Sequence, residues 1–106
     1  MSDEKKEKKT VFIDVTDLRY EKEEYVEDLV VFLGEQLPYL ELSQKTNEIK
    51  IEMQEDLSLR AIKLRLKKFL YKNDLKDDYR PISIRESDRE GYIIKERKTF
   101  EYTYLY

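Results

Sequence analysis

The stretch Leu59–Arg80, LRAIKLRLKKFLYKNDLKDDYR, decides how the rest of the chain is read. Leu59, Ile62, Leu66, Phe69 and Leu70 recur at helical spacing, which predicts an amphipathic helix with one apolar stripe. Asp56 or Ser58 stands where such a helix would be capped, and the helix is expected to fray after Asn73–Asp74. Away from the stripe the segment is basic. From Leu57 to Lys76 there are seven Lys or Arg and one acid, whereas the rest of the chain holds 14 basic residues against 23 acidic ones. Arg60, Lys63 and Lys67 fall on one flank of the stripe, and Arg65, Lys68, Lys72 and Lys76 cover the back and the other flank. Leu64 and Tyr71 lie among these cations.

Two readings fit that pattern. Lys and Arg are good helix formers that reach readily into water, so a basic face can serve solvation alone. A face made only for solubility would normally mix signs and form pairs four residues apart. A basic face with aliphatic and aromatic side chains interleaved also suits nucleic acid: cations neutralise phosphates, and a ring can stack on an unpaired base.

Upstream, YLELSQKTNEIKIEM reads as a hairpin. Leu40 and Leu42 alternate before a polar turn at Lys45–Asn47, and Ile49, Ile51 and Met53 alternate after it. Before the hairpin, Tyr25, Leu29, Phe32 and Leu33 repeat with helical period, widened by Val26 and Val30. Glu21, Glu23 and Glu24 suit the positive end of that helix, and Pro38 stops it near Leu37. Thr10–Val15 reads as a strand with two apolar faces, Val11, Ile13 and Val15 alternating against Phe12 and Asp14. Residues 1–9 are charged without apolar content and are expected to form a disordered leader, leaving 10–106 as one domain.

Downstream, YRPISIRE gives a strand with Ile82 and Ile84 facing one way, Pro81 favouring an edge or a strand start. SDREG is a turn, and YIIKERKTFEYTYLY is a long β-prone run in which Phe100, Tyr102, Tyr104 and Tyr106 share one face. The element order β-α-β-β-α-β-β predicts an α+β fold: a two-layer sandwich with two helices packed on one face of a mainly antiparallel sheet.

The totals limit the chemistry. The 106 residues contain no Cys and no His, which removes thiolate sites, the usual zinc ligands and the commonest general base. Neither Gly34 nor Gly91 belongs to a phosphate-cradling loop. The chain is expected not to be an enzyme, to have no catalytic residue, cofactor or metal, and to take no small-molecule substrate. No run approaches the ~20 apolar residues of a membrane span, so a cytoplasmic location without membrane contact is expected. Charged residues make up 42% of the chain and Asn and Gln are few, the composition pattern of hyperthermophiles.

From Ile49 to Arg80 the chain resembles the eukaryotic-type ribosomal protein twenty-two family of the large subunit. The residues that carry the resemblance are the strand IKIEM, Ser58, and LKKFLYKNDLKDDYR, in which Lys72-Asn73-Asp74-Leu75-Lys76-Asp77 and Arg80 match the family's turn. KKTVFIDVTD and YVEDLVVFLGEQL are similar to the family's first strand and first helix, so the resemblance spans about residues 8–97. It implies a structural protein of the large ribosomal subunit that binds ribosomal RNA, an archaeal member fitting the composition. Carried over position by position, the RNA contacts are Arg60, Lys63, Lys67, Lys68, Lys72, Lys76 and Arg80. The chain departs from the family in its acidic balance, with a pI of 5.2, in its shortened YLELSQKTN connection, in Asp78 where the family has a large aromatic, and in its TFEYTYLY tail. Those departures leave an alternative: an acidic protein-interaction module on the same fold that has lost ribosomal RNA binding and docks another ribosomal protein or a second subunit through its Tyr-rich C-terminal strand, at Tyr102, Tyr104 and Tyr106. A purely structural reading has the same aromatic row pack on the sheet or the helices and extend the core.

Overall fold

Strict alternation builds the centre of the sheet. In β1 (Lys8–Asp14), Val11 and Ile13 are fully buried while Phe12 between them is half-buried on the opposite face. A computed structural model of the chain describes residues 7–87 and 89–97. Residues 1–6 of the expected leader, and the aromatic row Phe100, Tyr102, Tyr104 and Tyr106, lie outside the described residues. Lys8 and Lys9, read from the sequence as leader, instead begin β1, where they pair with Gln54 and Met53.

A short helix, α1 (Thr16–Glu21), follows β1, and α2 (Glu23–Gln36) follows after a break at Lys22. The sequence reads this region as one helix beginning near Glu21. The extended backbone at Lys22 (φ −164°) separates the two, and α1 sits against the end of the last strand, where Asp17 accepts the amide of Glu96 at 3.1 Å. The hairpin is β2 (Glu41–Gln44) and β3 (Glu48–Gln54), with Ile49, Ile51 and Met53 buried as their alternation requires. Then come α3 (Arg60–Lys72), β4 (Tyr79–Arg85) and β5 (Glu90–Glu96).

The strand order is β2-β3-β1-β5-β4. Neighbours pair antiparallel except β1 and β5, which run parallel at the centre. The architecture is α+β, with the two longer helices packed on one face of the sheet, as the sequence predicts. Pro81 lies on β4, an edge strand, where a missing amide donor is tolerated.

The core lies between sheet and helices. Ile62, Leu66, Phe69 and Leu70 of α3 are buried, so the apolar stripe has the predicted phase, and Leu59 packs partly against it. Phe69 meets Phe32 of α2 with ring centroids 5.6 Å apart and planes tilted by 55°, a favoured aromatic arrangement. At the start of α3, the Ser58 hydroxyl accepts the amide of Arg60 at 3.0 Å and satisfies one orphan donor.

The end of α3 does not fray. The Leu75 amide reaches back to the Leu70 carbonyl at 2.7 Å, and the Asp74 amide to Tyr71 at 3.1 Å, the paired bonds of a Schellman stop. Asp74 takes the left-handed conformation this requires (φ 64°), and Leu75 is buried beyond it. The Asn73 side chain adds a bond to the Phe69 carbonyl at 2.9 Å. A non-glycine residue in this conformation is strained, and an acid is poorly placed at a negative helix terminus. Asp74→Gly should therefore stabilise the fold by about 0.5 kcal/mol, after glycine's extra unfolded-state entropy is counted, and raise Tm by about 2–4 °C in a thermal melt.

Tyr79, at the start of β4, is buried. Burial, reinforced by Glu21, Glu96, Asp78 and Asp17, pushes its phenol up to about 12. The folded chain thus keeps a proton that the unfolded chain releases near pH 10. This contribution to stability is intact below pH 10 and is lost as the pH rises toward 12. An alkaline denaturation series should show that decline in the wild type and a shallower one in Tyr79→Phe.

Candidate nucleic-acid interface

The Schellman stop and the following turn set β4 alongside α3, and a trough opens between them. Backbone and side-chain bonds fix its two ends. At one end the Tyr92 hydroxyl donates to the Leu59 carbonyl at 3.1 Å and the Lys9 ammonium to the Leu57 carbonyl at 2.7 Å, pinning the start of α3 to the sheet. At the other, the Arg97 amide donates to the Asp78 carbonyl at 2.7 Å and its Nε to the Lys76 carbonyl at 3.0 Å.

The first section of the trough has a volume of about 600 Å³. Arg60, Lys63, Leu64 and Lys67 line it from α3, with Ser83 and Arg85 facing them from β4 and Lys9 from β1. The second section, about 480 Å³, shares Lys63 and Lys67 and continues past Tyr71 and Lys76 to Arg80 and Arg97. Glu90 is the one acid among all these lining residues. Among the described residues, Arg60, Lys63, Lys67, Arg80 and Arg85 form no ion pair, although acids outnumber bases in the chain. Five unneutralised cations along one channel create a positive field suited to a polyanion.

Of the seven basic positions singled out from the sequence, Arg60, Lys63, Lys67, Lys76 and Arg80 line this trough. The other two do not. Lys68 is exposed outside both sections, and Lys72 lies on the flank toward α2, its ammonium 5.7 Å from the Phe32 ring centroid. Lys9, Arg85 and Arg97 join the trough without having been singled out. The signal for Arg85 was present: it shares a strand face with Tyr79, Pro81 and Ser83, the side turned toward α3. Lys9 and Arg97 are brought in by tertiary pairing, which no local pattern records.

Leu64 and Tyr71 are 52% and 67% exposed, so neither is core. The ring of Tyr71 is approached by the Lys76 ammonium, 5.7 Å from its centroid. Burial pushes the Tyr92 phenol up, and Glu90 adds to this while Arg85 opposes it, so Tyr92 serves the trough as a neutral hydrogen-bonding wall.

Chemistry other than charge is sparse here. No group of three or more Asp, Glu, Cys or His among the described residues is arranged to hold a metal ion. No helix among them is long and apolar enough to cross a membrane. The opposite face of the sheet carries Phe12, Ile82, Ile84 and Ile93, all half-buried, with the Arg89 guanidinium 4.0 Å from the Phe12 ring centroid and paired with Glu48. Tyr102, Tyr104 and Tyr106 are beyond the described residues. No family model matches the chain, and no curated protein matches it.

Proposed function

We propose that this protein is a structural RNA-binding protein of the large ribosomal subunit, and that it holds the phosphate backbone of a ribosomal RNA hairpin in the α3–β4 trough. The observation that carries the reading is the row of unpaired cations, Arg60, Lys63, Lys67, Arg80 and Arg85, in a chain of net charge −3. Placing them together without acidic partners leaves their repulsion uncompensated within the chain, and a polyanion supplies the compensation. The resemblance of Ile49–Arg80 to the large-subunit family supports the choice of ribosomal RNA among polyanions. Recognition on this reading rests on RNA shape and backbone, and the protein acts as scaffold without catalysing a reaction.

The test is equilibrium binding of the full chain to a large-subunit ribosomal RNA hairpin across a salt series. About five neutralised phosphates should give a slope of about −4 to −5 in log affinity against log salt. Affinity indifferent to salt would reject the trough as a phosphate site.

A further inference from the structure

The section of the trough beside Tyr71 differs from the section near Ser58. Its floor is apolar: Leu70 and Tyr79 are buried beneath it and Pro81 is half-buried at its side. Its rim is cationic, with Lys63 and Lys67 on one side and Arg80 and Arg97 on the other. Tyr71 stands at this rim with two-thirds of its surface open to solvent. Beyond its contact with the Lys76 ammonium, the exposed ring stands above an apolar floor and between cations, which matches a nucleotide, with its flat π-face and an anionic link on each side.

Resting on the RNA reading above, we infer that this section is a pocket for one unpaired nucleotide, whose base stacks on Tyr71 while Lys63, Lys67 and Arg80 hold the flanking phosphates. Its volume of about 480 Å³ lies in the range of small-molecule sites and exceeds what a bare phosphate needs. Continuity with the first section through Lys63 and Lys67 makes the occupant part of a longer strand: paired RNA lies along α3, and the extruded nucleotide enters at the Tyr71 end. Lys76, already poised over the ring, adds a cation to the stack. Stacking of this kind tolerates any base, because every base offers a π-face. The selectivity it produces is for a bulge or loop over continuous duplex.

The experiment compares two labelled RNAs: a perfect duplex, and the same duplex with a single-nucleotide bulge carrying 2-aminopurine. The wild type should bind the bulged RNA about tenfold more tightly and quench the 2-aminopurine on binding. Tyr71→Ala should abolish both the preference and the quench while leaving the melting profile unchanged. Tyr71→Phe should keep both, since the ring and not the hydroxyl carries the stack. Equal affinity of the wild type for the two RNAs overturns the inference, as does a preference that survives Tyr71→Ala. Displacement of the bulged RNA by an acidic Tyr-containing peptide, with the peptide's affinity dependent on Tyr71, would overturn it in favour of a protein partner. Failure to bind either RNA at low salt would instead refute the RNA reading itself.

Discussion

Reversing two charges, Lys63→Glu together with Lys67→Glu, should weaken RNA binding by more than about tenfold and reduce the salt slope by about two. These two lysines are the residues common to both sections of the trough, so their loss interrupts it at the middle. Neither makes an ion pair within the described residues, and Lys67 is exposed, so the fold should tolerate both substitutions. The matched control is Lys68→Glu with Lys72→Glu. It changes net charge by the same amount, but on the back of α3 and on its α2 flank, and it should cost distinctly less. Equal losses from the two pairs would mean that the RNA responds to the overall field of the helix and not to the trough.

Gly91→Ala should prevent stable folding, costing more than about 4 kcal/mol, well above the ordinary range for a point substitution. Gly91 lies in β5 where that strand is sandwiched between Phe12 of β1 and Ile84 of β4. Its φ of +156° is one that residues with a side chain rarely adopt, and a Cβ there would stand 1.8 Å from the Phe12 carbonyl oxygen. The obstacle is backbone at the centre of the sheet, so no rotamer change relieves it. Circular dichroism and a denaturant titration decide the matter: a cooperative transition at the wild-type midpoint would contradict this account of the β1–β5 contact.

Much of this architecture was legible because local periodicity and tertiary burial agree. The α3 stripe and the alternation in β1 and β3 are fixed by the period of their apolar residues, and the structure buries those residues on the expected side. The split between α1 and α2 was not legible. Leu18 continues the apolar phase of α2, so nothing periodic marks the break at Lys22, which becomes visible only once α1 is seen to meet the end of β5. The clean stop after α3 was misread because Asp74 replaces the glycine that usually signals a left-handed cap.

The candidate site was half legible for a similar reason. A charge count identifies the basic helix, but not which of its flanks faces β4, so Lys68 and Lys72 look equivalent to Lys63 and Lys67 in the sequence. The flank is chosen by packing: Phe69 and Lys72 meet Phe32 of α2, which gives that side of α3 to the neighbouring helix and leaves the other side open. Arg85 in β4 and Arg97 just after β5 are placed by a strand order that depends on the parallel β1–β5 pair.

That central pair also sets a clock. Both hairpins join strands close in sequence and can form early, but Phe12 and Gly91 come from opposite ends of the chain and must wait for a long loop to close. During synthesis the inner edge of β1 therefore stays unpaired until β5 has left the ribosome, and an unpaired edge is a template for the wrong partner. The trough shares this schedule, because among the described residues β4 pairs in the sheet only with β5. A nascent chain that has completed α3 but not β5 carries the basic helix without the opposing wall. If the trough holds RNA as proposed, only chains that have completed β5 present the whole site.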